Sequence, residues 1–172
     1  GEYKILQIDN PEDIVEFLRI NNVDSWCIKD MDYARRYGTT WFLIKGNSII
    51  GAYAANEGIL RDRNNQPMKD PEAVRVFVEF LKQEGQEDKV LKFKLIVRLP
   101  MTKEEIDKVI DKGEYLYYLY RYYRLTPKQI NKAIEKGKNL DDLYEYQPLT
   151  PGNIDRVIEK GEELYTLYNH QK

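Results

Sequence analysis

Four groups of side chains in this sequence are of types that can do chemistry. Cys27 is the only cysteine and His170 the only histidine, 143 positions apart. A thiolate nucleophile needs a base or an electropositive neighbour. Arg35 and Arg36 would lower a thiol pKa if they folded against Cys27, but the plainer expectation is a small buried hydrophobe beside Trp26. Arg35, Arg36, Arg61, Arg63, Asn64 and Asn65 lie in two loops around a hairpin. If those loops meet, they can hold a phosphate or a carboxylate; if not, they are solvated loops. The run from Tyr115 to Arg124 interleaves tyrosines with arginines, a pattern that can stack on nucleic-acid bases. Carboxylates are abundant, yet on the helices they fall on outward faces as solvated charges do. No Cys/His group has metal spacing. Lys45-Gly46-Asn47 is a turn, not a phosphate-binding loop. No catalytic set, metal or cofactor is expected.

The elements that position these residues begin with a repeat. MTKEEIDKVIDKGEYLYYLYRYYR from Met101, LTPKQINKAIEKGKNLDDLYEYQP from Leu125 and LTPGNIDRVIEKGEELYTLYNHQK from Leu149 align with a period of 24 residues. Thr102, Thr126 and Thr150 match, as do the isoleucine pairs Ile106/Ile110, Ile130/Ile134 and Ile154/Ile158. Gly113, Gly137 and Gly161 match too. Each unit spells a helical hairpin. Thr is an N-cap, and Pro127 and Pro151 sit at the first helical position. The isoleucines form an apolar stripe, and Gly takes the left-handed conformation that ends the helix. A second short helix follows, with Leu-x-x-Leu-Tyr on one face. Helices this short are marginal alone and need stacking.

Within the tyrosine run, Leu116, Leu119, Tyr120 and Tyr122 fill slots that recur in the other repeats and read as packing. His170 occupies the Tyr122 slot and reads the same way. Tyr115, Tyr117, Tyr118 and Tyr123 are extra to the repeat. They are expected at an interface of the first hairpin with the preceding domain and, after that, as a ligand surface.

Residues 1–100 carry other periods. Tyr3–Ile8 reads as a strand, and Asn10 caps a helix opened by Pro11. Trp41–Ile44 and Ser48–Ala54 form a hairpin, with a third short strand at Gly58–Leu60. Pro71 opens a helix that ends near Gly85. Leu91, Phe93, Leu95 and Val97 alternate with polar residues and predict a strand. The expectation is an α+β domain over 1–100, a small antiparallel sheet with helices on one face. Three helical hairpins follow at 101–124, 125–148 and 149–172.

Bulk properties narrow the classes. The 172 residues carry 27 basic and 29 acidic side chains, a net charge of −2. Residues 101–172 hold 12 basic and 13 acidic groups, so no basic half tracks a phosphate backbone. An apolar share of 42% reads as globular. No apolar run reaches 18 residues, so no membrane partner is expected. A lone cysteine favours a reducing compartment. Gly1-Glu2-Tyr3-Lys4 lacks the shape of a signal peptide, and a start on Gly points to a processed or trimmed chain.

One stretch carries a resemblance. Asp24-Ser25-Trp26-Cys27-Ile28 is followed by Tyr33, Tyr37 and Thr40-Trp41-Phe42-Leu43-Ile44. Ala52-Tyr53-Ala54 and Asp62-Arg63-Asn64-Asn65-Gln66-Pro67 come next. Residues 3–68 resemble a small Trp-Cys module of uncharacterised phage and mobile-element proteins. Here Ser25 directly precedes Trp26, a departure from that module's spacing. The resemblance implies a phage or mobile-element setting in the cytoplasm of a bacterial host, and brings no catalytic residues.

The functional expectation is a non-enzymatic interaction or scaffold protein that binds a protein partner through its repeat arm. A nucleic-acid-binding module and an enzyme centred on Cys27 are the alternatives. The binding candidates are Arg35, Arg36, Arg61, Arg63, Asn64, Asn65, Tyr115, Tyr117 and Tyr118.

Overall fold

The computed structural model describes residues 2–161. The chain divides into two compact units, Gly1–Phe93 and Lys94–Lys172. The border falls inside a helix, earlier than the Leu99-Pro100 join that the sequence suggests.

The first unit holds an antiparallel sheet of four strands in the order β1-β2-β3-β4. These are β1 (Tyr3–Ile8), β2 (Thr40–Lys45), β3 (Ser48–Ala54) and β4 (Leu60–Asp62). Between β1 and β2 run α1 (Pro11–Ile20), a 3-10 turn (Cys27–Lys29) and α2 (Met31–Tyr37). The Asn10 side chain accepts from the Glu12 N–H at 2.9 Å, which fixes the start of α1. After β4 come α3 (Pro71–Gln83) and α4 (Glu87–Val97). The fold class is α+β, as the sequence indicates.

Two expectations need correction. Neighbouring residues on a strand face opposite sides of the sheet. Phe42 packs on Phe17 of α1, at 4.8 Å between ring centroids, and on Trp26 at 6.1 Å. Trp41 and Tyr53 instead join Phe77 of α3 and Phe93 of α4, with Tyr53 at 4.9 Å and 6.4 Å from the last two. Helices therefore cover both faces of the sheet, not one. The expected strand at Leu91–Val97 is part of α4. Val90, Leu91, Phe93 and Leu95 are all buried and spread around the helix, so the apolar pattern fits an alternating period as well as a helical one. Burial on several sides is what resolves the ambiguity towards a helix.

The second unit contains α5 (Lys103–Lys112), α6 (Leu116–Tyr122), α7 (Pro127–Lys136), α8 (Leu140–Tyr146) and α9 (Pro151–Glu159). The first two repeats are helical hairpins. The third is described through its first helix; Leu164, Leu167, Tyr168 and His170, expected in a second helix, lie outside the described residues. Thr102, Thr126 and Thr150 each cap a helix and share a reciprocal box with the third helical residue, Glu105, Gln129 or Asn153. Gly113 and Gly137 both end their helices at φ 73°, and Gly161 follows α9 at φ 71°.

The third helical residue has a second task. Gln129 Nε2 donates to the Lys103 carbonyl at 3.1 Å and to Asp107 Oδ1 at 3.2 Å. Asn153 Nδ2 repeats this one period later, on the Pro127 carbonyl at 3.0 Å and Asn131 Oδ1 at 2.7 Å. The Glu105 side chain has no N–H to give; it takes the Lys94 ammonium at 2.7 Å. A second tie follows each hairpin. Gln147 is buried, donates to the carbonyls of Tyr120 and Tyr123 at 2.6 Å each and accepts the Leu125 N–H at 3.1 Å. In repeat one the Tyr123 hydroxyl does the equivalent, donating to the carbonyls of Lys94 at 2.8 Å and Leu99 at 2.6 Å. Buried Ile110, Ile134, Leu119, Tyr120, Leu143 and Tyr144 fill the space between. Each such side chain contributes roughly 1.5–3 kcal/mol of apolar burial.

Candidate functional site

The tyrosine run folds so that packing and surface residues separate along α6. Leu116, Leu119 and Tyr120 point into the repeat core. Tyr115, Tyr117 and Tyr118 are exposed, at 41%, 36% and 37%. Of the four extra tyrosines only Tyr123 is turned inwards, and burial followed by the Glu105 charge pushes its phenol up to about 12.

Arg121 lies at the centre of the exposed face. Its guanidinium is 5.5 Å from the Tyr117 ring, 5.3 Å from Tyr122 and 5.5 Å from Tyr146 of α8. It also donates to the Tyr117 hydroxyl. The Tyr117 ring stands nearly perpendicular to Tyr118 and Tyr146, at 82° and 89°. Arg98 comes from the chain before the first repeat and stacks on Tyr122 at 3.7 Å from its centroid. The result is a column across α6 and α8 in which exposed Tyr117, Tyr118, Arg98 and Arg121 surround half-buried Tyr122 and Tyr146.

Left-handed backbone occurs at one residue of the column and at the residue before α6. Five non-glycine residues have positive φ among the described residues, and three are Asn22, Asn65 and Asn139. Asparagine tolerates that region. The other two are Arg98 at φ 60° and Tyr115 at φ 58°. Arg98 follows α4 where the Leu99 N–H reaches back to the Lys94 carbonyl, a helix end that glycine favours. Tyr115 precedes α6 in the slot that Asn139 fills before α8. Strained residues of this kind cluster at functional surfaces.

The loop candidates of the first unit do not converge on one point. Arg61 pairs with Glu57 and donates to the Asn65 carbonyl at 2.9 Å. Arg63 donates to the Ile49 carbonyl at 3.0 Å. Arg36 stacks over Tyr33 at 5.2 Å, and Arg35 is exposed on α2. The Asn64 N–H is bound to Asp62 Oδ1 at 2.9 Å. Only Arg61 and Asn65 of the six line a pocket of about 110 Å³, together with Trp26, Cys27, Tyr37 and Glu57.

Cys27 is exposed, against the expectation that it is buried. Its neighbours Trp26 and Ile28 take the inward directions, and the Trp26 indole N–H is anchored on the Asp62 carbonyl at 2.8 Å. The 3-10 turn therefore leaves the thiol facing out. Access is one requirement for a nucleophile and a base is another; Glu57, the carboxylate of this pocket, is engaged by Arg61. Among the described residues no group of three or more His, Cys, Asp or Glu could hold a metal ion. No helix there is long and apolar enough to cross a membrane.

Comparison of the chain with protein-family models, with curated proteins and with solved structures found no match. The column on α6 and α8 thus rests on its own geometry. The tyrosine spacing made Tyr117 and Tyr118 visible in the sequence. Arg98 and Tyr146 were missed; only the hairpin geometry brings them to Arg121 and Tyr122.

Proposed function

We propose that this chain is a non-enzymatic interaction protein that binds a protein partner through the tyrosine–arginine face of its helical repeats. The observation that carries this reading is the Arg98–Tyr122–Arg121 stack with Tyr117 and Tyr146 around it. Tyrosine supplies large contact area with few rotatable bonds, arginine supplies a planar fork of donors, and both are enriched among the residues that dominate protein interfaces. A near-neutral chain with no basic half gives little to track a nucleic-acid backbone. A phage or mobile-element setting in a bacterial cytoplasm rests on the resemblance of residues 3–68 alone.

A photo-crosslinking residue in place of Tyr118, expressed in the source cell, tests the reading. The expected result is one dominant protein adduct, lost when Arg121 is also changed to Ser. A control crosslinker at exposed Lys128 on α7 should not give that adduct. A nucleic-acid adduct, or an adduct indifferent to Arg121→Ser, overturns the reading. A labelled single strand that binds with a steep salt dependence would favour the nucleic-acid alternative instead.

A further inference from the structure

We propose that the Arg98–Tyr122–Arg121 stack is a carboxylate-docking point, and that the partner presents an acidic segment there. This rests on the reading of the same face as a protein-binding surface. The argument is one of charge complementarity. Both guanidiniums lie over the single Tyr122 ring, at 3.7 Å and 5.3 Å from its centroid. Among the described residues neither has a carboxylate partner. Elsewhere in the unit, carboxylates are placed against cations: Lys94 on Glu105 at 2.7 Å, Lys132 on Asp111 at 2.8 Å, and Arg156 on Glu135. Two like charges held on one ring repel each other, and an anion between or beside them relieves that repulsion.

Stacking also leaves the right atoms free. A guanidinium that uses its flat face on an aromatic ring keeps its N–H donors in the plane of the group, aimed past the ring edge. Arg121 uses one of them on the Tyr117 hydroxyl. The remaining donors of Arg121 and those of Arg98 are of the kind that a carboxylate's two oxygens accept from. Exposed Tyr117 and Tyr118 add phenol groups and ring surface beside the anion. Arg98 has a left-handed backbone at φ 60° in a position where glycine would relax it, so its side chain stands there at a conformational cost.

The test uses the full chain and fluorescent peptides. An alternating Asp/Glu octapeptide should bind, and its Asn/Gln counterpart should bind at least about tenfold more weakly. R98Q and R121Q should each weaken the acidic peptide by about tenfold, with thermal melts close to the parent. R98G separates binding from folding. It should raise the melting temperature by relaxing the φ and still lose the peptide. Millimolar inorganic phosphate that fails to displace the peptide supports a carboxylate segment; displacement by free phosphate overturns it. Equal binding of the amide peptide, or no effect of R98Q and R121Q, also overturns the proposal. If the acidic peptide does not bind while the Tyr118 crosslink persists, the docking point fails and the protein-binding reading stands. If an oligothymidylate binds more tightly than the acidic peptide, both fail.

Discussion

The first two repeats share a backbone and differ in what stands on it. Both helices α5 and α7 begin at a Thr capping box and end at a glycine with φ 73°. Both second helices follow a left-handed residue, Tyr115 in one and Asn139 in the other. Both hairpins close with a donor to the carbonyls of the preceding segment, the Tyr123 hydroxyl in one and the Gln147 amide in the other. Repeat two fills these slots with amides, which serve the backbone at low cost. Repeat one fills them with tyrosines and a glutamate. The frame is therefore set by position, and the choice of side chain within it is open to other tasks. In repeat one Tyr123 and Glu105 turn to the segment that precedes it, through the carbonyls of Lys94 and Leu99 and the Lys94 ammonium.

The sharpest way to break the comparison is at the closing donor. Gln147→Leu leaves two carbonyls and the Leu125 N–H without their partner in a buried place, and should cost about 2–4 kcal/mol in urea denaturation. Tyr123→Phe removes one hydroxyl from a half-buried site and should cost about half as much. Equal losses would mean that the two ties are not counterparts.

Gly137→Val comes next. No atom apart from those of its chain neighbours lies within 4 Å of where its Cβ would be, so the effect is conformational. A β-branched residue at φ 73° should cost about 1–2 kcal/mol. A neutral result would refute the left-handed cap as a source of stability.

Glu105→Gln converts the cap of repeat one to that of repeat two and removes the Lys94 ion pair. The Glu105 carboxyl sits below its ordinary value. Burial alone would raise it, but the Lys94 ammonium and the Thr102 N–H and hydroxyl outweigh burial. A lowered folded pKa gives stability that is present above the unfolded value, near ~4.3, and is lost as pH falls through the folded value. The parent should exceed the variant by about 1 kcal/mol at neutral pH. That gap should close below the ordinary carboxylate range. A gap independent of pH would assign the effect to packing.

The smallest effect runs the other way. Tyr115→Asn installs the residue that repeat two uses and should stabilise the chain by about 0.5–1 kcal/mol. Loss of stability on that change would show that the Tyr115 ring is fixed by contacts worth more than its backbone strain.

The legibility of the sequence differs between the units for a physical reason. Thr102, Ile106, Ile110 and Gly113 encode a helix by local rules of capping and period, and repetition at 24 residues makes the pattern plain. Asn10-Pro11 and Pro71 mark helix starts by equally local means. α4 was not legible, because Leu91, Phe93 and Leu95 are buried on several sides and satisfy two periods at once. The outward turn of Cys27 depends on Trp26 finding the Asp62 carbonyl 36 residues on, a tertiary choice. Of the surface column, Tyr117, Tyr118 and Arg121 stand in one readable run. Arg98 and Tyr146 reach it only through hairpin geometry that no local pattern encodes.

Most side-chain ties between successive described segments of the second unit have one polarity; the Lys94 ammonium on Glu105 and the Leu125 N–H on Gln147 run the other way. Tyr123, Gln129, Lys132, Gln147, Asn153 and Lys160 donate, and every acceptor carbonyl belongs to chain already made. A chain leaving the ribosome emerges from its N-terminus. Each new hairpin therefore arrives carrying donors for carbonyls of chain already made. The array is suited to grow vectorially, one unit at a time, during synthesis. Released from denaturant as a full-length chain, it has no such order imposed. Refolding in that setting should pass through more partly stacked forms than folding during translation does.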